Sequence, residues 1–183
     1  MNKKIIVLSL VLGLCFAGAF ASPTNYLSFD VDSECSFPTL NGVSFIEKSI
    51  GVGFSGATLF TTSFGIYTNG SVLFFPTMTI NGKVYAAQDI ILDMFFGPCF
   101  KINISEKLFS LCSLGLHYRY LAESEIISLG LGGMVSAYYQ FNDVFFIHSG
   151  ADVSYDFLTL IGDPYTGVMV VPFFGVGIHY DSK

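Results

Sequence analysis

Successive residues along most of this chain alternate between two chemical characters, and that period of two limits the fold more than any other feature. A β-strand turns alternate side chains to opposite faces, so alternation marks strands whose two faces meet different surroundings. From 89 to 102, one face holds Ile90, Leu92, Met94, Phe96, Pro98, Phe100 and Ile102. The other holds Asp89, Ile91, Asp93, Phe95, Gly97, Cys99 and Lys101. The same division recurs over 143–157, where Phe145, Ile147, Ala151, Val153, Tyr155 and Phe157 oppose His148, Gly150, Asp152, Ser154 and Asp156. Over 168–180 it sets Val168, Val170, Phe174, Val176 and Ile178 against Gly175, Gly177 and His179, and 126–141 repeats it with Leu129, Leu131 and Val135 against Gly130, Gly132 and Ser136. Over 107–120 it is less clean, with Leu114, Leu116, Tyr118 and Tyr120 against Ser113, Gly115, His117 and Arg119.

Toward the N-terminus, Leu27, Phe29 and Val31 oppose Ser28, Asp30 and Asp32. Ile50, Val52 and Phe54 oppose Gly51, Gly53 and Ser55, and Ile66, Val72 and Phe74 oppose Tyr67, Asn69 and Ser71. Asn69-Gly70 is a hairpin signal taken alone, but the alternation runs through it and predicts an unbroken strand. Short polar turns fall at 60–64, 104–108 and 141–144; longer connections are expected over 33–48, 76–88, 121–125 and 158–166. Eight strands joined by alternating short and long connections predict an all-β fold, an eight-stranded antiparallel up-and-down barrel.

Which face is outside follows from what the second face lacks. A soluble exterior is rich in lysine and glutamate, whereas this face is built from glycine, serine and a few charges. Glycine saves space inside a narrow barrel. The apolar face is therefore expected to meet lipid, and the fold to be a transmembrane barrel. Composition agrees: 52% of residues are hydrophobic and only 12% charged, at a mean hydropathy of +0.61. Beyond residue 21 no stretch approaches the ~18 apolar residues of a spanning helix. A soluble ligand carrier of the lipocalin type is the alternative, with the faces reversed.

Residues 1–21 are expected to be a signal peptide, with Lys3 and Lys4, an apolar run and a small-residue cleavage site at Ala19-Phe20-Ala21. Residues 22–183 would then form the barrel. Cys15 offers a rival lipoprotein signal, but Leu14 is a bulky residue where such signals carry a small one. The net charge of −6 supplies no basic patch for nucleic acid. Cys35, Cys99 and Cys112 are read as small apolar fillers, with no disulfide and no metal site.

An eight-stranded interior is just wide enough for side chains to fill it. Asp93, Lys101, His117, Arg119, His148, Asp152 and Asp156 are therefore expected to form a polar network in the lumen, paired with one another. A proton-sensitive gate at His117 or His148 is the sharper alternative. Tyr118, Tyr120, Tyr139, Tyr155 and Tyr180 are expected on the outward face near strand ends, as an aromatic girdle.

The chain resembles the small eight-stranded outer-membrane barrels, the class that includes outer membrane proteins X and W. More narrowly it resembles a family of small spirochaete outer-membrane proteins, through residues 64–71 (FGIYTNGS), 124–130 (SEIISLG) and 138–143 (YYQFND). The resemblance implies an outer-membrane location and brings no catalytic residues. It departs from the class after Tyr180, where Asp181-Ser182-Lys183 follows the aromatic that usually ends the last strand. No hydrolase elbow, zinc-protease motif or phosphate loop occurs. His148 and Ser149 are adjacent on a strand and point to opposite faces, so they cannot act as base and nucleophile. No enzymatic activity and no cofactor are expected. The expected partners are outer-membrane lipid and an extracellular protein or host ligand bound through the loops, with the barrel monomeric. A narrow channel for small solutes is the second possibility.

Overall fold

A computed structural model of the chain describes residues 23–87 and 89–181. The expected signal peptide over 1–21 and the terminal residues 182 and 183 lie outside the described residues. Within them, eight long strands follow in order: β1 (Thr24–Leu40), β2 (Ile46–Leu59), β3 (Phe64–Ile80), β4 (Ile91–Asn103), β5 (Leu108–Leu121), β6 (Ile126–Gln140), β7 (Phe145–Ile161) and β8 (Tyr165–Asp181). Each pairs antiparallel with its neighbours in sequence, and β8 pairs back onto β1 from Thr24↔Asp181 to Leu40↔Tyr165. The sheet is thereby closed, and every long strand has a partner on both sides.

Closure requires the strands to tilt, and the register gives the stagger. Stepping from Ser28 through its partners Ser55, Asn69, Phe95, His117, Gly130, Asp156 and Gly167 returns to β1 at Pro38, ten residues along. A barrel of this strand number leaves room for side chains and little else.

The predicted faces hold in all eight strands. Phe54, Leu114, Val135 and Phe174 point outward and are exposed, while Asp30, Ser71, Ser136 and His148 point inward and are buried. This is the reverse of a soluble carrier, which needs its apolar side chains inside. The strand through Asn69-Gly70 is unbroken, as the alternation predicted.

The two ends of the barrel differ. One carries both chain ends of the barrel and the short turns before β3, β5 and β7. Each of these turns begins with a side chain that accepts backbone N–H groups. The Thr61 hydroxyl takes those of Ser63 and Phe64, the Ser105 hydroxyl that of Leu108, and the Asn142 carbonyl those of Val144 and Phe145.

The other end corrects the expected long loops. Most of 33–48 is strand, because β1 continues to Leu40 and the chain reverses at Asn41-Gly42. Likewise β3 continues to Ile80, turns at Asn81-Gly82 and returns as the short strand Lys83–Ala86. Both asparagines and both glycines have φ between 50° and 78°, the left-handed values that a tight hairpin turn demands and that this dipeptide supplies cheaply. β7 also runs on, to Ile161, before the turn over 162–164. Three of the four connections here are therefore projecting hairpins, while the β5–β6 connection falls at 122–125, as expected.

Candidate functional site

The lumen is filled in three tiers. Nearest the short-turn end is an aromatic tier of Tyr26, Tyr67, Phe95, Phe109, Tyr138, Phe146 and Phe173, all buried. Phe109 and Tyr138 stack with ring centroids 4.9 Å apart and planes 10° from parallel. At the hairpin end Leu73, Ile91, Leu121, Ile126 and Tyr165 form an apolar cap, with Leu40 against it. Between them lies the charged tier.

Arg119 anchors the charged tier. It is fully buried, and its guanidinium reaches Glu34 Oε1 at 2.8 Å and Glu47 Oε2 at 2.9 Å, with Asp93 Oδ2 at 3.4 Å. Three carboxylates from β1, β2 and β4 thus converge on one cation from β5, in the planar-fork geometry that suits Arg and not Lys. His117, two residues earlier on the same face, has a carboxylate oxygen at each ring nitrogen, Asp93 at Nε2 and Asp156 at Nδ1. Ser128 donates to the other oxygen of Asp156. One continuous network therefore links β1, β2, β4, β5, β6 and β7.

His148 belongs to a second pair. Its Nε2 lies 2.6 Å from Asp30 Oδ1, with the ring stacked on Tyr138 at 4.8 Å. The space for this pair is made by Gly175, where any side chain would overlap both partners. Gly53 does the same for Asp32 and Ser71. Asn69 donates to Asp152 at 3.0 Å. A cavity of about 20 Å³, the size of one water molecule, lies between Asn69, Ser71, Asp93, His117 and Asp152.

Of the residues expected in the network, Asp93, His117, Arg119 and Asp156 are brought together directly, and His148 and Asp152 line the same tier with other partners. Lys101 is not among them. It lies at the short-turn end, its ammonium donating to the Tyr26 hydroxyl at 2.9 Å and resting 4.1 Å from the centre of the Phe109 ring. Four members were not anticipated. Asp30 and Asp32 stand on the polar face of the sequence pattern but outside the expected network, while Glu34 and Glu47 fall within the expected loop over 33–48. The signal was present: the even positions Asp30, Asp32, Glu34 and Ser36 keep the polar face of β1 going past Val31.

The aromatic girdle is also corrected at one position. Tyr139, Tyr155 and Tyr180 are exposed on the outer face and Tyr118 is partly so, but Tyr120 is only 6% exposed. Its hydroxyl turns toward the carbonyl of Ala122 in the β5–β6 connection. Cys35 and Cys112 are partly exposed, Cys99 is buried, and all three are free thiols.

Comparison with solved structures matches this architecture along nearly its whole length. Neisserial surface protein A aligns with a TM-score of 0.63 over 85% of this chain and 97% of its own, at 11% identity. The outer membrane protein OprG from Pseudomonas aeruginosa aligns at 0.57 over 90% and 98%, with 16% identity. The fold is that of the small outer-membrane barrels. Ail, the attachment invasion locus protein of Yersinia pestis, solved with the heparin analogue sucrose octasulfate, aligns at 0.54 over 87% of this chain and all of its own, at 10% identity. No family model and no curated protein sequence matches the chain. Like those barrels, this one is closed and antiparallel, and its apolar side chains lie on the outside.

Proposed function

We propose that this protein is an integral outer-membrane barrel, sealed through its lumen, that acts by presenting its hairpins at the cell surface. The observation that carries this reading is the fully buried Arg119, locked across the interior by Glu34 and Glu47 between an aromatic tier and an apolar cap. A lumen filled in that way favours a scaffold over a solute channel. The apolar exterior supports the bilayer as its surroundings, since an antiparallel barrel satisfies its backbone internally and needs no water at its walls. The short-turn end faces the periplasm in this reading, and the projecting hairpins face outward.

Loops held on a rigid frame are where such proteins carry function. The hairpin with its tip at Asn81-Gly82 presents Lys83, Val84 and Tyr85, all exposed, and is the first candidate for contact with an extracellular protein or host ligand. Two of the matched proteins are named as a surface protein and an attachment protein, in keeping with such a role. Within the class we place the chain among the small spirochaete barrels, on the strength of the segments at 64–71, 124–130 and 138–143. No enzymatic activity is part of this reading, and the barrel is taken as monomeric.

The test combines sidedness with conductance. A membrane-impermeant amine reagent applied to intact cells should modify Lys83 at the hairpin end and spare Lys107 at the short-turn end. The purified protein in a planar bilayer should pass no steady current. Modification of Lys107 alone would invert the orientation, and a steady single-channel conductance would favour the channel. A chain that folds in plain buffer without detergent or lipid would sink the membrane reading altogether.

A further inference from the structure

We propose that the outer end of β7 forms an apolar ledge that contacts lipid, extending the lipid-facing surface farther toward the hairpin end there than on the opposite side of the barrel. This rests on the reading of the exterior as lipid-facing, and goes beyond it in assigning a sided membrane contact.

The β6–β7 ladder is regular up to Gly130↔Asp156 and then shifts register twice. Beyond the first shift Leu129 pairs with Leu158, and Ser128 with Thr159; beyond the second, Ile127 pairs with Ile161. Each shift inserts one extra residue on β7, Phe157 and then Leu160. Residues directly opposite in a ladder share a face. Leu129 belongs to the outward set of β6, so Leu158 points outward too, and Ile161, whose partner Ile127 is itself buried, is 55% exposed. The inward position is kept by Thr159, whose hydroxyl bonds the backbone of Tyr165 from both sides, donating to its carbonyl and accepting from its N–H. The inserted residues also face out: the Phe157 ring lies 6.4 Å from that of Tyr155, and Leu160 is 53% exposed. Two bulges have therefore turned Phe157, Leu158, Leu160 and Ile161 to the exterior, where plain alternation would have sent half of them inward.

Across the barrel, the matching rim is different. β2 and β3 also shift register, between Lys48 and Ile50, and this bulge exposes Phe75 beside Phe74. Above it the outward pairs are Lys48↔Thr77 and Ile46↔Thr79, so a charge and two hydroxyls interrupt the apolar side chains Ile46 and Val84 on that rim. Between Val153 and Ile161 the outward side chains of β7 are Tyr155, Phe157, Leu158 and Leu160, with no charge among them, while Ser154, Asp156 and Thr159 turn inward. The ledge is continuous with the lipid-facing wall beneath it, and that continuity assigns acyl chains as its occupant. A wall that is taller in apolar terms on one side is accommodated by tilt of the barrel or by local thickening of the bilayer.

The chain contains no tryptophan, so single tryptophans report without background. Leu160→Trp, Thr79→Trp on the opposite rim and Val153→Trp in the middle of the lipid face would each be reconstituted in phosphatidylcholine vesicles with brominated acyl chains. The expected result is loss of emission from Leu160→Trp comparable with that from Val153→Trp, and little loss from Thr79→Trp, which aqueous iodide should quench instead. The ledge is overturned if Leu160→Trp is open to iodide and blind to bromolipid while Val153→Trp is quenched. It is equally overturned if Leu160→Trp is shielded from both, which would mean a protein surface such as a second copy covers it, or if Thr79→Trp is quenched as strongly. An unquenched Val153→Trp would remove the lipid reading of the whole exterior, a separate failure.

Discussion

Arg119 on β5 reaches across the lumen to Glu47 on β2, Nη2 to Oε2, at 2.9 Å. With Glu34 at 2.8 Å on the other nitrogen, this clamp joins walls of the barrel that share no backbone hydrogen bonds. The ladder closes the sheet as a ring; the clamp ties the ring across its diameter. A charge buried this deeply is tolerated only while it is paired.

The first prediction follows from that pairing. Arg119→Leu leaves Glu34, Glu47 and Asp93 facing one another in a dry interior, and should lower stability by about 3–5 kcal/mol, the usual cost of breaking a buried pair from one side. Adding Glu34→Gln and Glu47→Gln should restore much of the loss, because the orphaned charges go with their partner. Urea midpoints followed by far-ultraviolet circular dichroism in detergent would decide it. A single variant as stable as the parent would mean the clamp is idle.

Glycine placement makes a second prediction. Gly97 on β4 and Gly115 on β5 lie back to back, so that a Cβ on either would overlap the other strand's backbone. The ladder between these strands skips this point, resuming at Cys99↔Ser113, next to Pro98, which has no N–H to give. Gly97→Ala should cost about 1–3 kcal/mol as an overpacked site. Gly70→Ala, which would meet nothing within 4 Å, should be close to neutral. The comparison is read as the temperature at which the compact, heat-modifiable gel band is lost.

How far the fold was legible depended on whether one face could be told from the other. From Ile90 to Ile102 one face is apolar without a break, and the strand and its outward face follow directly. Past Val31 the outward positions become Ser33 and Cys35, the contrast fades, and a strand reads as a loop although Asp30, Asp32 and Glu34 continue the inward set. Glu34 is lost from the charged tier for that reason, and Glu47 because the outward Lys48 next to it breaks the contrast at the start of β2. Lys101 failed differently: parity placed it correctly on the inner face, but parity says nothing of height along the barrel, which only the stagger between strands determines. The bulges at Phe75, Phe157 and Leu160 were illegible because an inserted residue looks, in sequence, like any other apolar neighbour.

The tiers act in series, which yields a third prediction about closure. Tyr138→Ala removes a ring that stacks on Phe109 and on His148, and should cost about 3–5 kcal/mol as a large cavity in packed surroundings. It should nevertheless produce no steady current, because the Arg119 clamp closes the lumen separately. Combining Tyr138→Ala and Phe109→Ala with Arg119→Leu should be needed before conductance appears in planar bilayers. Current through the Tyr138→Ala barrel alone would show that the charged tier does not seal.

Cys99 offers a report on the intact barrel that needs no engineered label. It points into the aromatic tier with no exposure, whereas Cys35 and Cys112 sit on the outer face and are partly exposed. A small maleimide should therefore modify Cys35, beside Lys48 at the hairpin end, in the folded protein and leave Cys99 untouched until the barrel opens, while Cys112, set against lipid between Phe100 and Val135, has little thiolate to react. Because Cys99 itself is held on both sides by a ladder, with Gly65↔Cys99 on one flank and Cys99↔Ser113 on the other, reaching the thiol requires those ladders to part. Its labelling rate in rising urea should track global unfolding, with no faster local phase. Rapid labelling of Cys99 in the absence of denaturant would mean that the aromatic tier breathes independently, and the lumen would then have to be treated as an openable path.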